Sequence, residues 1–226
     1  MLIERLHGGL IVSVQAEAGS LLDTPETIAL LARVAEQNGA AAVRVEGGAR
    51  IGAVRRAVRI PVIGIVKRAY PAFEPYITVS DREIAEAAAA GADIIAFDAT
   101  RRPRPGAPSP AALIAAIGRR GALAMADCAD AADAAEAVAA GAPIVASTLC
   151  GYTPATRGTP LPALRLVRDL ARLGAFTICE GGVTVPADVQ AAFEHGADAV
   201  VVGTAITNVD VLVRRFTAAA RAPKPT

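Results

Sequence analysis

A closed α/β barrel, the (β/α)8 TIM fold, is the architecture this sequence predicts, on three observations. Eight short apolar runs alternate with eight alanine-rich stretches of helical character. Six of the helical stretches end in one dipeptide, at Gly39-Ala40, Gly91-Ala92, Gly121-Ala122, Gly141-Ala142, Gly174-Ala175 and Gly196-Ala197, each just ahead of an apolar run. Glycine past a helix end takes the left-handed cap conformation without steric cost, so six copies of one joint imply one strand–helix unit used repeatedly. The runs are apolar almost throughout, as strands covered on both faces are. An open doubly wound sheet is the alternative, but it usually has fewer strands.

Taken in order, the first strand is expected at residues 10–15. A helix follows from near Pro25, where Thr24 can cap and proline suits the first helical position. Residues 41–45 form the second strand, with a helix from near Ala49. The third strand, 61–67, leads to a helix from near Ser80. The fourth, 93–98, leads through a proline-rich loop at 103–110 to a helix opened by Ser109-Pro110. The remaining strands are expected at 122–127, 143–148, 176–180 and 198–203. Their helices start near Asp130, Pro160, Pro186 and Asn208. No linker divides the chain, so residues 1–221 are expected to be one barrel and 222–226 a flexible tail.

Bulk properties exclude several function classes. Of 226 residues, 53% are apolar, enough for a sizeable core. The net charge is +1 and aromatics are 4%, with no basic block, so no nucleic-acid footprint is expected. No run approaches the ~18 apolar residues of a spanning helix, and Glu4, Arg5 and His7 precede a first run unlike a signal peptide. No membrane partner is expected. Cys128, Cys150 and Cys179 are odd in number and lack CxxC spacing, which fits free thiols in a cytoplasmic protein. His7 and His195 make no ligand motif, and no metal is expected.

The chain has two lysines among 23 basic residues: Lys224, in the tail, and Lys67, which closes the apolar run Pro61-Val62-Ile63-Gly64-Ile65-Val66. Arginine stays protonated in proteins, whereas a lysine can be tuned to lose its proton. A barrel places its chemistry at the C-terminal strand ends. Those ends carry Gln15, Arg44, Lys67, Asp98, Asp127, Thr148, Glu180 and Gly203, seven of them polar. Structural ion pairs across the mouth are the alternative for Arg44, Asp98, Asp127 and Glu180. Glu180-Gly181-Gly182 and Gly203-Thr204 follow the last two strands, where barrels often bind phosphate through backbone N–H groups. Arg101, Arg102 and Arg104 are expected on a solvated loop face, with Arg101 the one to point inward.

Several segments together resemble one family. They are Gly64-Ile65-Val66-Lys67-Arg68, Asp98-Ala99-Thr100, Met125-Ala126-Asp127, Thr148-Leu149-Cys150-Gly151-Tyr152-Thr153, Glu180-Gly181 and Val201-Val202-Gly203-Thr204-Ala205-Ile206-Thr207. They resemble the N-acetylmannosamine-6-phosphate 2-epimerases, also called N-acylglucosamine-6-phosphate 2-epimerases, from about Leu10 to about Phe216. The resemblance implies interconversion of N-acetylmannosamine 6-phosphate and N-acetylglucosamine 6-phosphate in sialic acid breakdown. It implies Lys67 and Glu180 as catalytic residues, and Gln15, Arg44 and Asp127 as holding the sugar. It further implies Gly181, Gly182, Gly203 and Thr204 as the phosphate site, a homodimer, and no cofactor. Asn208, Ala69 and Val185 depart from the family pattern, which commonly has arginine, aspartate and threonine there.

Inverting C2 beside an aldehyde needs a base, a proton donor and groups that hold developing charge. Lys67 is expected to take the proton and Glu180 to donate or relay one, with Arg44 and Asp127 orienting the sugar. Two other readings remain at this point: a Schiff-base lyase or aldolase using Lys67, and a sugar-phosphate-binding barrel without catalysis.

Overall fold

The computed structural model describes residues 2–220. Eight parallel strands close in sequential order: β1 (Gly9–Val14), β2 (Ala42–Glu46), β3 (Val62–Ile65), β4 (Ile94–Asp98), β5 (Leu123–Asp127), β6 (Ile144–Ala146), β7 (Phe176–Glu180) and β8 (Ala199–Val202), with β8 paired back onto β1. The closed sheet replaces the open alternative. Outside it run α1 (Pro25–Gln37), α2 (Gly48–Ala57), α3 (Asp81–Ala89), α4 (Pro110–Gly118), α5 (Ala131–Ala139), α6 (Leu164–Ala171), α7 (Pro186–Glu194), the short α8 (Thr204–Thr207) and α9 (Val209–Ala220).

The local signals act as chemistry requires. All six joint glycines have φ between 78° and 94°, the region where a Cβ is penalised. Thr24 and Ser109 each accept a backbone N–H at 3.2 Å, from Thr27 and Ala112, ahead of the prolines that open α1 and α4.

Three expectations need correction. β1, β3, β6 and β8 stop short of Gln15, Lys67, Thr148 and Gly203, because the chain leaves the ladder at the barrel mouth. Lys67 instead bridges Ile77 in antiparallel fashion, so the loop after β3 folds back over its own strand. The sixth helix begins at Leu164, not near Pro160. Thr159 and Leu161 each precede a proline, which disfavours their helical conformation. The turn α8 precedes α9 and was not expected. The expected tail at 222–226 lies outside the described residues.

The core has two shells, and their phase positions the site. Ile11, Ala42, Ile63, Ile65, Ile94, Ala96, Met125, Ile144, Ala146, Ile178, Ala199 and Val201 fill the barrel, with Leu6 among them. Val12, Val43, Val62, Ile95, Phe97, Ala124 and Val145 face the helices. Side chains on a strand alternate with period two. Continuing the inward phase upward reaches Gln15, Arg44, Lys67, Asp98, Asp127, Thr148, Glu180 and Gly203, one from each stave.

Candidate active site

Six of the eight inward-phase residues, Gln15, Arg44, Lys67, Thr148, Glu180 and Gly203, line a cavity of about 760 Å³ at the C-terminal mouth, together with Gly181, Gly182 and Thr204. Among the described residues, no group of three or more His, Cys, Asp or Glu side chains is placed to hold a metal ion.

Arg44 is the keystone of the cavity floor. Its side chain is 1% exposed and grips Asp127, with Nη1 donating to Oδ1 at 3.1 Å and Nη2 to Oδ2 at 2.6 Å. The same Nη1 lies 3.0 Å from Glu180 Oε2, and the Glu180 side chain is 13% exposed. Burial opposes the guanidinium charge, but Asp127 and Glu180 overcome it and hold Arg44 more firmly protonated than usual. Asp127 is wholly buried beneath this contact and is not part of the cavity wall. It therefore meets the cavity through Arg44 and through Thr148, whose hydroxyl donates to Oδ1 at 2.8 Å.

Lys67 and Glu180 rise from staves four apart in a ring of eight, so they face each other across the mouth. Lys67 Nζ donates to Gln15 Oε1 at 2.7 Å, and Gln15 Nε2 donates in turn to Ser13 Oγ at 2.7 Å. This chain fixes the amine by its neutral neighbours. Burial at the mouth lowers the Lys67 pKa, Glu46 opposes that, Arg44 adds to it and Glu180 opposes it more weakly. Burial pushes the Glu180 carboxyl up to about 7, with Asp127 reinforcing the rise and Arg44, Thr148 and Lys67 restraining it. An amine inclined to lose its proton thus faces a carboxyl inclined to keep one, the separation expected of an acid–base pair.

The glycine loops close one side of the cavity. Gly181 and Gly182 have φ of 105° and 72°, and their N–H groups have no backbone acceptor among the described residues. Such groups can turn to an anion. A Cβ on Gly182 would lie 2.3 Å from Leu161 Cβ, so the loop admits no side chain there. Gly182→Ala is expected to lower stability by about 2–4 kcal/mol, from left-handed strain and overpacking together. Urea unfolding checks this, and a loss below about 1 kcal/mol would contradict it.

Asp98 takes the inward phase but lies outside the cavity wall. Its Oδ1 accepts from the Thr100 hydroxyl at 2.6 Å and its Oδ2 from Arg102 Nη2 at 2.7 Å. It is a structural ion-pair residue, and burial raises its pKa. The loop arginines correct the expectation. Arg104, not Arg101, is buried, donating to the Asp98 and Thr100 carbonyls. Arg101 lies 55% exposed against Asp130 and Asp133.

Glu46 was missed. It lies two residues beyond Arg44 and so shares its phase, lines the cavity, and accepts from the Lys67 backbone N–H at 3.4 Å and from Arg50 at 3.2 Å. Ser13, Tyr76, Tyr152 and Arg215 also line the wall. Tyr152 and Arg215 come from a loop and from α9, and no periodic signal in the strands could have found them.

Comparisons with known proteins place the chain in a family. The family model described as "Putative N-acetylmannosamine-6-phosphate epimerase" matches residues 28–222. A relative from Thermosynechococcus vestitus, named "Putative N-acetylmannosamine-6-phosphate 2-epimerase", is 45% identical over 98% of this chain and 97% of its own. A relative of the same name from Klebsiella pneumoniae (strain 342) is 45% identical over 96% of this chain and 92% of its own. Among solved structures, the N-acetylmannosamine-6-phosphate 2-epimerase from Clostridium perfringens superposes with a TM-score of 0.93 at 34% identity, covering 97% of this chain and 96% of that one. A 3-hexulose-6-phosphate synthase at 22% identity and a TM-score of 0.62 shares the fold.

Proposed function

The chain belongs to the N-acetylmannosamine-6-phosphate epimerase family, and from that premise we propose that it interconverts N-acetylmannosamine 6-phosphate and N-acetylglucosamine 6-phosphate, an isomerase step of amino-sugar and sialic acid catabolism. One observation carries the reading: Lys67 and Glu180 face one cavity from opposite staves. With C2 of the open-chain sugar between them, Lys67 takes the proton from one face. The electrons move onto the C1 carbonyl oxygen as an enolate. Glu180 delivers a proton to C2 from the other face, and the carbonyl re-forms. The reaction is redox-neutral and calls for no cofactor.

Gln15 orients the Lys67 amine, and Arg44, held by Asp127, supplies fixed positive charge near the developing oxyanion. Gly181, Gly182, Gly203 and Thr204 take the 6-phosphate through their backbone N–H groups. A cytoplasmic homodimer belongs to the same proposal. The three free, buried thiols suit a reducing compartment. The face of α9 bearing Val213 and Phe216, the latter 76% exposed, suits a subunit contact. Light scattering decides the assembly.

The deciding experiment is proton NMR of N-acetylmannosamine 6-phosphate with the protein in D2O. Conversion to the gluco epimer with deuterium at C2 supports the reading. No conversion and no exchange sinks it. A borohydride-trapped adduct on Lys67 would favour a lyase instead, and tight binding without turnover a binding protein.

The pH profile follows from the pair. The active state holds one proton between neutral Lys67 and protonated Glu180, and it has the same proton count as the ion pair. Activity is therefore flat where the pair holds one proton, falls on the acid side when both groups are protonated, and falls on the alkaline side when neither is. The acid limb is expected at about 7, set by Glu180, and the alkaline limb below the position of an ordinary lysine. A measured kcat/KM profile with its acid limb near 4.5, the ordinary glutamate value, would contradict the assignment.

A further inference from the structure

Thr148 stands two residues past β6, in the inward phase of Ile144 and Ala146. Its Oγ1 lies 2.8 Å from Asp127 Oδ1 and 3.2 Å from Glu180 Oε2. A threonine hydroxyl has one proton on a freely turning bond, and here two carboxyl oxygens stand within its reach. It can serve only one of them at a time.

We infer that Thr148 is a positioning residue whose hydroxyl donates to Glu180 when that carboxylate is ionised and to Asp127 when it is not, keeping the Glu180 carboxyl in place through both charge states. The inference deepens the epimerase reading and rests on Glu180 changing its protonation during the cycle. Asp127 can spare the donor, since Arg44 holds it through two bonds of 3.1 and 2.6 Å. Among the described residues, Glu180 Oε2 otherwise has only Arg44 Nη1, at 3.0 Å. The neighbouring Ser147 clamps the backbone: its hydroxyl donates to the Glu180 carbonyl at 2.9 Å and accepts the Glu180 N–H at 3.1 Å. The charge change is thus met by turning one O–H bond, with the chain held still.

The charged groups acting on Glu180 are Arg44 from β2, Asp127 from β5 and Lys67 beyond β3. None of them can redirect a proton by rotation alone in this way. Arg44 offers fixed N–H directions, Asp127 has no proton to give when ionised, and Lys67 donates to Gln15, with no hydrogen bond to Glu180 among the described residues. Among these neighbours the hydroxyl is the adjustable donor.

The test uses the full chain labelled with carboxyl-13C glutamate, the Glu180 signal being identified by its loss in Glu180→Gln. In the unsubstituted protein its titration midpoint is expected near 7. In Thr148→Val the ionised form loses its bond to Glu180, while the protonated form loses a bond to Asp127 that Arg44 backs up, so the midpoint should rise by the difference, up to about one pH unit, and Thr148→Ser should restore it. The acid limb of C2 exchange should move the same way, with kcat at pH 7 down by up to about fivefold and KM nearly unchanged. A Thr148→Val midpoint that stays put or falls, in folded protein, overturns the inference. Thr148→Ala gives the same decision should the valine variant not fold. If the unsubstituted protein exchanges no C2 proton, the epimerase reading fails, while the carboxyl titration still decides what the hydroxyl does.

Discussion

Lys67→Met is expected to reduce turnover by at least ~10²-fold while leaving the fold intact. The amine makes one side-chain hydrogen bond, to Gln15 at 2.7 Å, and the residue opens onto the cavity rather than the core. Methionine keeps the length and most of the packing of the lysine stem but can neither take nor give a proton. Stability should therefore stay within about 1 kcal/mol of the parent, as for substitutions away from buried networks. Rates from NMR exchange and unfolding curves in urea, measured on one preparation, separate the two effects. Near-normal turnover would remove Lys67 from the chemistry. Normal stability with lost turnover is the outcome that a merely structural lysine does not produce.

Arg44→Met should have the opposite balance: large losses in both properties. The guanidinium is 1% exposed and faces Asp127, whose side chain is fully buried, and Glu180, whose side chain is 13% exposed. Removing it strands two carboxylates in a site built around one positive charge. Breaking a buried pair by deleting one partner typically costs about 3–5 kcal/mol, and the second carboxylate here leaves no reason for a smaller figure. Turnover should fall with it, because Glu180 loses its orienting contact. The checking measurement is ΔG from urea unfolding, and a change under about 1 kcal/mol would show that the charges are solvated in solution. The two variants thus separate the proposed roles by experiment: Lys67→Met should cost turnover alone, and Arg44→Met stability as well.

Much of this was legible in the sequence because barrels write their repeat in residue types. The joint glycines were readable since left-handed φ tolerates almost nothing else. The polar ends of the third and fifth runs, Lys67 and Asp127, were readable because nothing polar precedes them in those runs. Glu46 was not, although it follows Arg44 by two. The second run seemed to end at Val45, and strands buried on both faces lack the alternation that reveals phase. Arg104 against Arg101 was unreadable for another reason. Proximity to a strand end says nothing about which loop side chain turns back to meet the free carbonyls of Asp98 and Thr100. The start of α6 was misplaced because proline favours a first helical turn, yet two prolines separated by one residue constrain the residues ahead of them. Thr148 was noticed as polar, but its place between two carboxyl groups depends on distances across three staves.

The glycine joints and the cavity-lining residues occupy opposite rims, with the apolar filling of the barrel between them. Selection can therefore act on the two ends almost separately. Changes in the lower joints alter how firmly the ring stays closed without reaching the substrate. At the upper rim, each stave offers one or two inward positions, and exchanging a side chain there alters the mouth without re-registering any strand. Such a layout lets a lineage trade reactions while retaining its stability, and lets it adapt to heat while retaining its reaction.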